Sequence, residues 1–296
     1  MAKKTEFEQK IAEDIRSQKG TMMPVKASIL ERMLVRKAPC SILHPNADDE
    51  FTFDSVGPSY KIIGEYEEKF RFAIRHNQDV FDDALIVEKL HPKGYLLLNG
   101  HHRWAAAMRV GIKKVPIKIV NLASDSDIDQ ILANSKHDKR VAIDLDEVIF
   151  RDNEDKWVEK TPGFPHVMKF NNKIRLGIPA LFYYLTKNGY DIWVYSANYY
   201  SIDDIQRFFR HYSVHVDGII TGTMKRKRNN SEVAVSREKK IADKYKKTLH
   251  IDNDMILVTG DINARFKTYD LDAAPDEWSR KAIEIIGEID KDEGKK

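Results

Sequence analysis

Cysteine is almost absent: the 296-residue chain carries one, Cys40. A single thiol forms no bridge within the chain, so no disulfide framework holds the fold and no oxidising compartment is needed. A long hydrophobic run is missing too. No stretch approaches the roughly 18 apolar residues of a membrane span. The opening residues MAKKTEFEQK place acidic and polar side chains, not an apolar segment, behind Lys3 and Lys4, which reads against a signal peptide. The expectation is a cytoplasmic protein with no membrane partner. Charge of one sign is also scarce: 49 Lys and Arg oppose 46 Asp and Glu, a net of +3. That is too little to imply nucleic-acid binding by the chain as a whole. The local run Lys225-Arg226-Lys227-Arg228 is either a solvated loop or a phosphate-steering patch. What is present is 42% hydrophobic and 10% aromatic residues, enough for two cores, and the length predicts two domains.

Periodicity organises the chain. Phe7, Ile11 and Ile15 recur at spacing four, one face of a helix over 5–18. The stretch 22–54 holds Pro24, Pro39, Pro45 and the acidic group Asp48-Asp49-Glu50, and reads as irregular. A helix is predicted over 62–75, then short strands at 84–87 and 95–98, a helix over 104–110 closed by Gly111, and a strand over 115–120. Residues 123–139 read as a linker helix, with Ile128, Ile131 and Leu132 on its apolar side. Beyond it, strands at 141–145, 191–195, 216–220 and 248–251 alternate with helices at 178–187, 202–211 and 237–245. That alternation predicts an α/β domain with a parallel sheet covered on both faces. A last helix aligns Trp278, Ala282, Ile285, Ile286 and Ile289.

In an open parallel sheet the active site forms at the carboxyl ends of the strands. Three strands here end in Asp144-Leu-Asp146, in Ser196 and in Asp252-Asn253-Asp254. A carboxylate attacking a phosphoryl group is repelled by it, and a magnesium ion between the two removes the repulsion. Asp144 and Asp252 offer the oxygens magnesium prefers. Asp146 suits proton transfer to the leaving oxygen, and Ser196 with a lysine suits the remaining phosphate oxygens. An aspartate that ends a strand is often only a turn or cap residue, but three suitable positions together, Asp144, Ser196 and Asp252, on three apolar strands weigh against that. This arrangement resembles the haloacid dehalogenase (HAD) superfamily over about 140–270. The resemblance implies a Rossmann-like phosphohydrolase domain with Asp144 as nucleophile and Asp146 as acid and base. It puts magnesium on Asp144, Asp252 and a backbone carbonyl of Asp146. Lys240 is the expected third-motif lysine, with Lys239 and Lys225 as alternatives. The space between Asp146 and Ser196 admits only a minimal cap at about 151–173, carrying Trp157, Pro162, Phe164, Pro165 and His166, which implies an open site.

In the amino-terminal half the sharpest signal is Asn99-Gly100-His101-His102-Arg103. Gly100 permits a tight turn. The three residues after it start a helix whose free N–H groups and dipole attract anions, and Arg103 suits bidentate phosphate contact. The bland alternative is a buried structural histidine and an ordinary salt-bridging arginine. The segment 25–121, through this motif and Gly111…Val115-Pro116, resembles the ParB/sulfiredoxin fold, a small α+β nucleotide-binding domain. His101 stands where sulfiredoxin needs its cysteine, which argues against sulfinic-acid reduction. The helix-turn-helix domain typical of partition proteins is not seen, and the Gly-His-His-Arg form is closer to a kinase branch, with Glu50 or Asp49 as its base.

The combined expectation is a ParB/sulfiredoxin-like nucleotide-binding domain at 1–122, the linker helix, and a HAD-like phosphohydrolase at 140–296. Its cofactors are Mg2+ and ATP or another nucleotide, and its substrate a phosphorylated small molecule or nucleotide. The alternative is a nucleic-acid-associated nucleotide-binding protein, or a phosphatase/kinase that processes nucleic-acid ends.

Overall fold

A computed structural model describes residues 5–152, 154–160, 172–222, 232–260 and 266–293, without the side chains of 232–236 and 293. The basic run Lys225 to Arg228 and the cap residues Pro162, Phe164, Pro165 and His166 lie outside the described residues. The chain divides into two compact units, Met1–Leu122 and Ala123–Lys296. Among the described residues, no helix is long and apolar enough to cross a membrane.

The first unit runs α1 (Glu6–Gln18), β1 (Met23–Pro24), α2 (Ile29–Met33), β2 (Arg36–Pro39), β3 (Leu43–Pro45), α3 (Tyr60–Arg75), β4 (Leu85–His91), β5 (Tyr95–Asn99), α4 (His101–Val110) and β6 (Lys114–Ile119). Capping boxes start α1, where Thr5 pairs with Glu8, and α2, where Ser28 pairs with Glu31. The sheet is mixed, in the order β2-β6-β4-β5-β3, with β1 beside β4. Alternate residues Leu85 and Val87, and Val115, Ile117 and Ile119, are buried, together with Phe51, Ile63, Phe70 and Trp104. Ala105, Ala106 and Ala107 are all fully buried: methyl side chains let α4 pack closely on more than one side. The stretch 22–54 holds short ordered pieces that its prolines conceal, because two- to five-residue elements leave no periodicity to read.

The second unit starts with α5 (Asp125–Asn134), followed by β7 (Lys139–Asp144), β8 (Phe150–Arg151), β9 (Lys173–Ile174), α6 (Ile178–Lys187), β10 (Tyr190–Tyr195), α7 (Ile202–His211), β11 (Gly218–Ile220), α8 (Glu232–Lys244), β12 (Lys247–Ile251), β13 (Met255–Gly260), β14 (Lys267–Asp270) and α9 (Trp278–Glu293). The main sheet has the order β11-β10-β7-β12-β13-β14. Its first four strands are parallel, while β13 and β14 are antiparallel additions at one edge. The sheet is therefore mixed and not wholly parallel. Side-chain alternation assigns the faces: Ile192 and Val194 join Val141, Ile143 and helices α6, α7 and α9 in one cluster. Trp193 and Ile220 face the other way, onto Ile128 of α5 and Ile241 of α8. The segment read as a linker thus includes a helix, α5, that covers one face of this sheet. The expected apolar face of the last helix is buried as Trp278, Ala282, Ile285, Ile286 and Ile289.

Candidate functional site

The order of the second sheet sets where its crevice forms. From β7 the chain goes to β10 and β11 on one side and then returns to β12 on the other, so the topology reverses beside β7, where an open α/β sheet forms a crevice. Tyr195 is level with Asp144, and Ile251 with Ile143. The residues just beyond, Ser196 and Asp252, therefore flank Asp144 at the carboxyl end.

After Asp144 the backbone enters a π-type turn, Leu145–Ile149. This aims two N–H groups back at the strand end: Asp144 Oδ1 accepts from the nitrogens of Asp146 and Glu147, both at 2.8 Å. Its Oδ2 accepts no hydrogen bond from a described residue. Burial raises the Asp144 carboxyl above its ordinary range. The two backbone N–H groups oppose this, and the charges of Asp146 and Asp252 push it further up.

Asp146 is held at both oxygens. Ser196 Oγ donates to Oδ2, and Tyr200 OH donates to Oδ1 at 2.7 Å. Burial and this bond raise the Tyr200 phenol. Ser196 is fully buried, at 0% exposure. Its hydroxyl, expected to hold phosphate, here orients Asp146, because the neighbouring carboxylate is the stronger acceptor. Tyr200 had no sequence signal: it lies four residues past Ser196, in a loop whose path only the fold sets.

Lys240 is a correction. Its Nζ lies 2.8 Å from Asp129 Oδ1 of α5 in an exposed pair, not among the aspartates. Ile241 is buried against the sheet, and helical rotation turns the preceding residue toward the edge. Lys239 is exposed, and Lys225 lies outside the described residues.

Among the described residues, no group of three or more His, Cys, Asp or Glu side chains is placed to hold a metal. The donors that suit magnesium are two carboxylates, Asp144 and the exposed Asp252, whose mutual repulsion a cation would relieve. The Asp146 carboxylate is occupied by its two hydroxyl donors, so its contribution would come through the backbone carbonyl.

Two arginines that sequence reasoning missed stand beside this centre. Arg151, ending β8, donates from Nη1 to the Glu147 carbonyl at 2.8 Å and from Nη2 to Asn253 Oδ1 at 3.0 Å. Arg175, just past β9, donates from Nη1 to the same Asn253 oxygen at 2.9 Å. Asn253 Nδ2 donates to the Glu147 carbonyl at 3.1 Å. The Arg175 guanidinium lies 3.8 Å from the Trp278 ring centroid. Burial lowers it to about 10, aided by the like charge of Arg151.

In the first unit, Gly100 takes φ 99° at the start of α4. A Cβ there would meet Leu85 Cγ at 3.0 Å and Arg103 Nη2 at 3.2 Å, so the turn requires glycine. Arg103 donates from Nη1 to the Asp83 carbonyl at 2.9 Å and from Nη2 to Asn99 Oδ1 at 3.4 Å. His101 is 2% exposed. Its Nε2 accepts from the Asn46 nitrogen at 3.3 Å, and its Nδ1 is 3.3 Å from Asp49 Oδ2. His102 Nε2 accepts from the Ser59 nitrogen at 3.2 Å, and the Phe51 ring packs against both imidazoles. The histidines thus fasten the loop of 46–59 to the start of α4. Asp49, not Glu50, is the acid beside His101; the Glu50 carboxylate is half-buried and makes no hydrogen bond or ion pair with a described residue.

Residues 73–136 match the family model of the ParB N-terminal domain, a span that holds β4, β5, α4 and β6 and hence the Gly100 motif. The comparison with solved structures finds the C-terminally truncated chromosome-partitioning protein ParB from Caulobacter crescentus. One is complexed with CTP-gamma-S, at 22% identity over 35% of this chain and 54% of that one, with a TM-score of 0.25. Another is complexed to the centromeric parS site, at 26% identity over 33% of this chain and 46% of that one, with a TM-score of 0.23. The chain thus spans about half the length of each. No curated protein matches it.

Proposed function

We propose that this protein acts on the phosphates of nucleotides or nucleic acids: the first unit binds a nucleotide, and the second breaks a phosphoester bond through Asp144. The family match over 73–136 supports the nucleotide-binding and nucleic-acid-associated part. The phosphohydrolase part, and with it the HAD-like reading, rests on one observation, the placement of Asp144 and Asp252 at the carboxyl ends of the paired strands β7 and β12 beside the switch point.

In this mechanism Asp144 Oδ2, clear of the backbone N–H groups held by Oδ1, attacks phosphorus. The bond to the leaving oxygen breaks, and that oxygen takes a proton from Asp146. Asp146, again a carboxylate, then takes a proton from water. The resulting hydroxide attacks the aspartyl phosphate and frees Asp144 and inorganic phosphate. Ser196 and Tyr200 keep the Asp146 carboxyl in one plane throughout, and their hydroxyls rotate to suit either protonation state. Magnesium, when bound by Asp144 and Asp252, would supply charge neutralisation between carboxylate and phosphate.

In the first unit, the α4 N-terminus and Arg103 would take the nucleotide phosphates, with Gly100 allowing close approach and His101, His102 and Asp49 shaping the adjoining loop. The test is a magnesium-containing screen of phosphorylated metabolites and 3′- or 5′-phosphorylated oligonucleotides, run beside Asp144→Asn. Phosphate release that persists in the variant sinks the phosphohydrolase reading. CTP and ATP binding, measured in parallel, should weaken about tenfold in Arg103→Ala. Oligonucleotide binding that falls steeply with salt would support the nucleic-acid part.

A further inference from the structure

Two guanidinium groups share one neutral acceptor beside the Asp144 centre. Arg151 and Arg175 both donate to Asn253 Oδ1, at 3.0 and 2.9 Å. Among the described residues a single carboxylate, Asp155, comes within 4 Å of either, at 3.8 Å from Arg151 Nε. Arg175 is 7% exposed and stacked on Trp278, so its charge is desolvated, with no carboxylate of a described residue within 4 Å. Arg151 is less covered, with 22% of its side chain exposed. The pair is built into the scaffold by the antiparallel β8–β9 ribbon and by Trp278, whose Nε1 donates to the Asn253 carbonyl at 2.6 Å.

The spacing to Asp144 is short. The N–H of Glu147 donates to Asp144 Oδ1, and the carbonyl of the same residue accepts from Arg151 Nη1, each at 2.8 Å. Peptide dimensions then put the two side-chain groups within about 10 Å of each other.

We propose that Arg151 and Arg175 form a receptor for a second phosphate of the substrate, next to the phosphate that Asp144 attacks. The inference rests on the phosphoryl-transfer reading and narrows it to substrates with two phosphates flanking one sugar. Arg151 carries a planar fork that matches phosphate oxygens; its nitrogens here rest on the neutral acceptors Glu147 O, Phe150 O and Asn253 Oδ1, which an anion would replace, and Arg175 adds charge beside it.

The test uses the full chain and Arg151→Gln, because the more buried Arg175 also supports packing. kcat/KM is measured for adenosine 3′,5′-bisphosphate and for the 3′- and 5′-monophosphates. The wild type should prefer the bisphosphate, and Arg151→Gln should cut that preference about tenfold or more. A proportional loss on all three substrates, or no loss, overturns the proposal. A phosphorylated dinucleotide, whose second phosphate is a diester, separates a strand end from a free metabolite; whichever is favoured, the variant must erase the preference. If the wild type turns over none of these, the phosphoryl-transfer reading fails by itself. Calorimetric binding of the bisphosphate then decides the receptor: about tenfold weaker binding in Arg151→Gln supports it, and equal binding sinks it.

Discussion

The two ends of the second sheet treat acidic side chains in opposite ways. At the amino end Asp191 and the half-buried Asp290 are matched by donors. Asp191, 3% exposed, accepts from Ser135 and from Tyr245 OH at 2.7 Å, and pairs with His137 Nδ1 at 2.6 Å. Asp290 accepts from Tyr190 OH at 2.7 Å and from Lys247 Nζ at 2.9 Å. At the carboxyl end Asp144 has, among the described residues, only two backbone N–H donors, both on one oxygen, and the charges of Asp146 and Asp252 add to burial in raising its carboxyl. The difference separates acids that hold the fold from acids left under electrostatic tension. Like charges near a half-buried carboxylate raise the cost of its ionised form, a cost that hydroxyl, imidazole and ammonium donors offset at the amino end.

Substitutions at the two ends should therefore fail differently. The largest effect is expected from Asp144→Asn, which should cut phosphate release about a thousandfold or more, while urea unfolding stays within about 0.5 kcal/mol of wild type. Asp191→Ala should do the reverse, costing about 3 kcal/mol in urea unfolding by stranding three partners. If Asp144→Asn unfolds the protein as readily as Asp191→Ala does, the contrast is lost. Next in size, magnesium should raise the melting temperature of the wild type by a few degrees at saturating concentration. Asp252→Asn should remove that response in a thermal-shift titration.

The smallest effect concerns pH. Burial works against the Asp290 carboxylate, but the bonds from Tyr190 and Lys247 hold it below its ordinary range. Its contribution is present above the unfolded value and is lost as pH falls through the lower folded one. The deficit of Asp290→Asn should thus shrink as pH drops below about 4. Asp144 has the opposite sign, since its raised carboxyl costs stability as pH rises past the unfolded value. Asp144→Asn should therefore gain on the wild type as pH rises above about 4. Parallel trends in the two variants would break the comparison.

The strand ends were legible because apolar runs stopping at Asp144, Ser196 and Asp252 carry their own period and boundary. The helix over 178–187, found as Ile178–Lys187, was legible for the same reason. The edge strands β13 and β14 were not: Met255–Gly260 follows β12 after three residues, and that spacing disguises a hairpin as the continuation of one strand. Lys240 was misplaced because sequence order puts it on the right helix but says nothing of rotation about the helix axis. His101 and His102 read as anion-facing because their position at a helix start is visible, whereas the loop they fasten, 46–59, is distant in sequence.

By itself, then, the sequence determined the central strands of the second sheet and the acids at their ends, since these follow from apolar runs with clear boundaries. Only the tertiary structure decided which of those acids is left open, which is tied down by Ser196 and Tyr200, and that two arginines meet on Asn253. Those outcomes depend on contacts between residues as far apart as Arg151 and Asn253, and a chain's local pattern carries no record of what it will touch once the sheet has closed around it.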